Sequence, residues 1–227
     1  MMPGFARVPR VFGPEEVERL RAMAPISGGR RGGVRNLLAV HGFAELSRSA
    51  AMRRLIEPVL GAGAIAVRGL YFDKTPEANW KLPWHQDLMI AVDRRVEGLP
   101  GWGATSVKDG VPHVEPPAAV LERMLAVRIH LDDCGADNGP LRVIPGSHAH
   151  GRLSPEAIER WRREIPEVAC TAARGDVLLM QPLLLHASSA ADSPAHRRVI
   201  HIEYATAEPL PDGVGWWVGS AGAAKIE

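Results

Sequence analysis

The chain has 227 residues, 46% of them hydrophobic and 23% charged, and a formal net charge of +1. These values suit one generous globular domain or two small ones. The near-neutral charge gives no ground for a nucleic-acid partner, and two cysteines, Cys134 and Cys170, are too few for a disulfide framework or a thiolate zinc site. No secretory leader is recognisable and no apolar run approaches about 18 residues, so a soluble, cytoplasmic chain with reduced thiols and no membrane partner is expected.

Glycine (23) and proline (19) are plentiful, which favours short strands and turns over a helical bundle. Gly13-Pro14-Glu15-Glu16 predicts a helix start, with proline early and acids in the first turn, and Val17, Leu20 and Met23 recur at helical spacing. The glycine-rich stretch 28–33 reads as a loop. It is no phosphate loop, because no G-K-[ST] follows. A second helix is expected within 44–60, with Leu46, Met52, Leu55, Ile56 and Leu60 as its apolar face and Gly61 as its stop. Residues 64–72 and 82–92 read as strands. Residues 93–117 look irregular, with many glycines and prolines, and a loop of that length beside a strand suggests a lid. Beyond it a short helix passes into a strand over 121–131, and Asp137-Asn138-Gly139-Pro140 predicts a turn. Further strands are expected at 141–144, 168–171, 177–185 and 197–204, with a helix of about two turns after Ser154-Pro155. Two N-terminal helices followed by many short strands, without βαβ alternation, predict an antiparallel sandwich or barrel such as a jelly roll in a single domain, 1–227.

The second strand carries Trp84-His85-Gln86-Asp87. In an extended chain, residues i and i+2 share a face, so His85 and Asp87 would present an imidazole nitrogen and a carboxylate side by side. A non-haem iron centre of the 2-His-1-carboxylate type needs this pair and one more histidine. H-x-D alone is weak in a chain with nine histidines. His186 is the best third ligand, at the end of the apolar run 177–185, with Ser188 two residues on. Arg197 and Arg198 open the next strand in apolar surroundings, where an unpaired guanidinium is costly and no acid in the sequence is an obvious partner. A bound dicarboxylate would satisfy either, through the bidentate pairing that suits a planar fork. Alternation does not choose between them, because a sheet covered on both faces buries both.

In order along the chain, these features resemble the phytanoyl-CoA dioxygenase family of iron(II)- and 2-oxoglutarate-dependent oxygenases. The matching groups are Phe12-Gly13-Pro14-Glu15-Glu16-Val17, Trp84-His85-Gln86-Asp87 and His130-Leu131-Asp132-Asp133. Asn138-Gly139-Pro140-Leu141, Ile144-Pro145-Gly146-Ser147-His148, Gly175-Asp176-Val177, His186-Ala187-Ser188 and Arg197 complete them. The motifs leave out the 93–117 stretch and the C-terminal tail. The resemblance implies a double-stranded β-helix, mainly β with flanking helices, and iron bound by His85, Asp87 and His186. It implies that Arg197, eleven residues after His186, pairs with the far carboxylate of 2-oxoglutarate, with Ser188 assisting and Arg198 as the rival. Dioxygen would be the oxidant, and a C–H bond of a small molecule (an amino acid, natural product or lipid-like metabolite) would be hydroxylated with release of succinate and carbon dioxide. Asp87 stands where related halogenating oxygenases carry a small residue, which favours hydroxylation. Trp102, Lys108 and His113 in the expected lid, and Arg128 on the strand after it, could contact a polar or acidic substrate. Two other classes share the pattern: a cupin-type metal enzyme that does not use 2-oxoglutarate, and a non-catalytic jelly-roll binding module. The arginine argues against the first, and the intact ligand set against the second.

Overall fold

A computed structural model describes residues 3–25, 33–192 and 194–217; most of the glycine-rich stretch at 28–33 lies outside them, as does the chain beyond 217. The elements run β1 (Phe5–Val8), α1 (Pro14–Met23), β2 (Gly33–Val34), α2 (His41–Arg48), α3 (Ala50–Leu60) and β3 (Ile65–Lys74). There follow β4 (Leu82–His85), β5 (Ile90–Ala91), β6 (Thr105–Lys108), β7 (Val111–Val114), α4 (Ala118–Leu121) and β8 (Met124–His130). The chain continues with β9 (Leu141–Val143), α5 (Pro155–Glu164), β10 (Val168–Cys170), β11 (Val177–Met180), β12 (His186–Ser188) and β13 (Arg197–Ala205). No described helix is long and apolar enough to cross a membrane.

Local chemistry explains most boundaries. Gly13 caps α1, Pro14 opens it, and the Glu16 carboxylate accepts the Gly13 N–H at 2.9 Å. Val17 and Leu20 face inward while Met23 turns to solvent. The helix expected over 44–60 is two helices. Ser49 adopts an extended conformation between them, and its hydroxyl accepts the Met52 N–H at the start of α3. The stretch 93–117 is not irregular throughout: β6 and β7 form a hairpin around Asp109-Gly110, both at positive φ (49° and 80°), and β7 pairs with β5. This is the backbone a two-residue turn of the I′ type requires. The expected strand 82–92 ends at His85 and resumes only at Ile90. The apolar run 177–185 is likewise broken: β11 stops at Met180, and β12 begins at His186 in a different sheet.

Contacts divide the chain into two compact units. The first comprises Met1–Val34, Tyr71–Asp87 and Ala126–His201. Its larger sheet has the strand order β1-β11-β8-β13-β3-β2, and its smaller sheet the order β10-β9-β12-β4. β1, β11 and β8 pair antiparallel in the larger sheet, and β10, β9, β12 and β4 in the smaller one, with Leu178 opposite Arg128 and His186 opposite His85. Ala126, Leu178 and Met180 from the larger sheet meet Leu141, Val143 and Cys170 from the smaller one in a common core. Both cysteines are buried free thiols, and burial pushes Cys170 up to about 11. The second unit comprises Arg35–Leu70, Leu88–Leu125 and Ile202–Glu227. It holds α2, α3 and the β5-β7-β6 sheet, and the Tyr204 hydroxyl donates to the Ser47 carbonyl at 2.9 Å.

Two features of the first unit give stability predictions. Gly175, at φ +86°, donates to the His130 carbonyl at 2.8 Å and accepts from Val11 and Phe12, and a Cβ there would collide with the Phe12 carbonyl. Gly175→Ala should therefore cost about 3 kcal/mol, read as a lower urea midpoint. Asp132 accepts from the Arg198 side chain at 2.7 and 2.8 Å, from the Arg198 backbone at 2.8 Å and from Arg21 at 2.5 Å. Burial works to raise the Asp132 carboxyl, but the Arg198 hydrogen bonds and both guanidinium charges hold it below its usual 3.8. A depressed carboxyl stabilises the fold above its unfolded pKa and loses that contribution as pH falls through the folded value. The gap between wild type and Asp132→Asn should be about 3 kcal/mol at neutral pH and should shrink below about pH 4 in urea titrations.

Candidate metal centre

His85 closes β4 and His186 opens β12, and the two are register partners on adjacent antiparallel strands. Their ring centroids are 4.2 Å apart. Each imidazole is fixed by a main-chain carbonyl two residues before it. His85 Nδ1 lies 2.8 Å from the Pro83 carbonyl, and His186 Nδ1 lies 2.8 Å from the Leu184 carbonyl. A carbonyl can only accept, so both rings carry their proton on Nδ1 and turn an Nε2 lone pair toward the same point.

Asp87 reaches that point differently from the sequence expectation. It does not share a strand face with His85, because β4 has already ended. Gln86 turns the chain: its buried side chain donates to the Gly151 and Leu183 carbonyls at 2.8 and 2.7 Å and accepts the Leu153 N–H at 2.8 Å. The Asp87 N–H then donates to the Pro182 carbonyl at 2.9 Å. So placed, the Asp87 carboxylate stands 3.8 Å from His85 Nε2 and 3.6 Å from His186 Nε2. The three prospective ligand atoms all lie within 4.8 Å of one another. Ligands about 2.1 Å from one ion stand about 3 Å apart on an octahedral face, so side-chain adjustment closes the set on a divalent ion. Burial lowers the His186 imidazole to about 4, against the opposing pull of Asp87, and it is neutral and competent as a ligand at pH 7. Gln86 is the functional residue that sequence reasoning passed over, although it stands inside the motif.

The two arginines have different surroundings. Arg198 is committed to Asp132, as described above. Arg197 is buried; its NH1 donates to the Gly139 carbonyl, and its Nε has no hydrogen-bond partner. Desolvation lowers the Arg197 guanidinium, partly offset by the neighbouring Cys134 sulfur. Ser188 is buried on β12, two residues from His186, with Leu141 of β9 opposite. Trp102, Lys108 and His113 lie in the second unit. The Trp102 indole donates to the Asp212 carboxylate at 2.8 Å, Lys108 ends β6, and His113 is buried with Nδ1 2.9 Å from the Val111 carbonyl. Arg128 is buried on β8 in the first unit.

Antiparallel sheets carrying two histidines and a carboxylate around one point define a jelly-roll protein of the non-haem metal type. A family model described as Phytanoyl-CoA dioxygenase (PhyH) matches residues 34–199. The chain belongs to that family, and with it to the iron(II)- and 2-oxoglutarate-dependent oxygenases. Curated protein sequences gave no match. Among solved structures the fold is similar to AviO1 from Streptomyces viridochromogenes Tue57, at 24% identity over 92% of this chain and 94% of that one, with a TM-score of 0.65. It is also similar to HygX from Streptomyces hygroscopicus with nickel and 2-oxoglutarate bound, at 20% identity over 92% and 84% of the two chains, TM-score 0.65. A third is the epimerase SnoN in complex with Fe3+, alpha ketoglutarate and nogalamycin RO, at 16% identity over 90% and 80%, TM-score 0.67.

Proposed function

We propose that this protein hydroxylates a C–H bond of a small molecule, with His85, Asp87 and His186 holding iron(II) and Arg197 gripping the far carboxylate of 2-oxoglutarate. The convergence of the two Nε2 atoms and the Asp87 carboxylate carries the reading. Bound iron and 2-oxoglutarate supply the oxidising power, with dioxygen reduced as the cosubstrate is converted to succinate and carbon dioxide. The protein's own residues do the rest. Main-chain carbonyls aim the two imidazoles, Gln86 fixes the carboxylate, and the buried Arg197 offers a pre-oriented cation with an unused donor. Ser188, two residues after His186 on β12, assists at the cosubstrate.

Anaerobic titration of the metal-free protein with iron(II) and then 2-oxoglutarate tests this reading. A visible charge-transfer band is expected, with one iron per chain. Iron binding without a band favours a cupin-type enzyme that does not use 2-oxoglutarate, and absence of iron binding favours a binding module. Once a substrate is in hand, labelled dioxygen separates outcomes: hydroxylation puts one labelled atom into the product, whereas an epimerisation, the activity named for SnoN, leaves it unlabelled.

A further inference from the structure

We propose that Arg128 binds an anionic group of the primary substrate, a carboxylate or a chemically equivalent oxyanion. The inference rests on the oxygenase reading, which assigns the cosubstrate to Arg197, and it concerns the guanidinium that this assignment leaves over.

Arg128 is 9% exposed, and its Nε has no hydrogen-bond partner. Its NH1 meets His201 Nδ1 at 3.0 Å, and its guanidinium carbon stands 5.7 Å from the centre of the Phe72 ring. Neither contact supplies negative charge. Phe72 also packs edge-on against His201, with centroids 6.0 Å apart, so ring and imidazole hold the guanidinium plane in place. Burial lowers Arg128 to about 10, and the charge of Arg197 adds to that strain. Arg128 shares a face of β8 with Ala126, which belongs to the same core cluster as Val143, and Val143 is the register partner of His186. The arginine therefore faces the sheet that bears His85 and His186, while the Asp87 carboxylate stands 3.8 and 3.6 Å from the two imidazoles.

A divalent ion with Asp87 leaves one positive charge. The 2-oxoglutarate dianion and Arg197 then bring the centre to neutrality. Lys74 belongs to the Arg197 end, where it donates to the Ser189 carbonyl next to Gly139 and drops to about 8 through burial and the charge of Arg197. Arg128 remains as a desolvated cation beside a neutral centre. Removing a charge from water without a counter-charge is costly, and a bidentate oxyanion is the partner its geometry suits. His130 shares that face of β8, two residues on from Arg128, and is buried with neither ring nitrogen partnered; burial and the charge of Arg128 lower it to about 3, so it offers a neutral donor and acceptor to the same ligand.

The test uses the full chain as wild type, Arg128→Met and Arg128→Lys, with acetate as the anionic probe and acetamide as its neutral twin. Each protein, loaded with manganese(II) and 2-oxoglutarate, is followed by thermal shift. Wild type should show a saturable rise in Tm with acetate and none with acetamide. Arg128→Met should weaken the acetate response about tenfold or more, and Arg128→Lys, which keeps the charge but loses the planar fork, should fall between it and wild type. The metal-free Arg128→Met protein should melt at or above the wild-type temperature, since an uncompensated buried cation has been removed; a clear drop would make Arg128 structural and overturn the proposal. An acetate response equal in wild type and Arg128→Met, or absent from wild type, also overturns it. So does a large loss of 2-oxoglutarate affinity in Arg128→Met, which would make Arg128 a cosubstrate ligand. If 2-oxoglutarate fails to bind wild type, the oxygenase reading falls, and the acetate series on the manganese-loaded protein alone still decides whether Arg128 binds anions.

Discussion

His186→Ala abolishes iron-dependent turnover of 2-oxoglutarate and lowers iron affinity by more than about 100-fold, since even partners that only orient a ligand are worth 10- to 100-fold. The variant removes one of three donors and leaves His85 and Asp87 with no third point to close the face of the ion. It also leaves the Leu184 carbonyl without its His186 Nδ1 partner, a loss at the border of the two-sheet core that leaves the apolar contacts of Val143 and Met180 in place. Far-UV circular dichroism of the metal-free variant should therefore match wild type while bound iron, measured after dialysis, falls well below one per chain. Chelation of iron from wild type should reproduce the loss of turnover, and added iron should reverse it. Turnover close to wild type in His186→Ala would remove this centre from the chemistry.

Arg197→Ala raises the dissociation constant for 2-oxoglutarate by about 100- to 1,000-fold, or about 3–4 kcal/mol, the scale for truncating one member of a buried charge pair. Iron binding should persist, because Arg197 is not among the ligand atoms. Arg198→Ala provides the contrast. Its guanidinium is held by Asp132 at 2.7 and 2.8 Å, so the variant should melt earlier and bind 2-oxoglutarate within about threefold of wild type. Charge-transfer titrations and thermal melts of the two variants separate the roles, and the reverse pattern would hand the anchor to Arg198.

The arginine pair shows where the sequence stops being informative. Alternation cannot choose between neighbours on a strand buried on both faces, and Arg198 is claimed by a carboxylate 66 residues away. Asp87 shows the same limit. Its identity as a candidate ligand follows from H-x-D, but its position depends on Gln86 bonds to Gly151, Leu153 and Leu183. No local pattern contains those contacts, so the strand was expected to run on past His85. The break before α3 and the β6–β7 hairpin were different cases, because their signals were in plain view. Ser49 is an N-cap residue, and Asp109-Gly110 is a turn dipeptide between strand-forming neighbours. The surrounding prolines obscured the hairpin, yet Pro112 sits opposite Val107 and its carbonyl accepts the Val92 N–H, so its missing donor costs the sheet little. The start of α1, the strand at 197–204 and the jelly-roll class were legible because they rest on periodicity and punctuation, which are local.

The carbonyl bonds at His85 Nδ1 and His186 Nδ1 have an evolutionary consequence. Each imidazole takes its orientation from a peptide group two residues back in the chain, so that instruction is written in backbone and not in any neighbouring side chain. Drift or selection can then exchange the residues lining the barrel, and so the molecules it accepts, without rebuilding the aim of the two histidines at every step. A centre oriented by the main chain leaves the surrounding wall free to diversify.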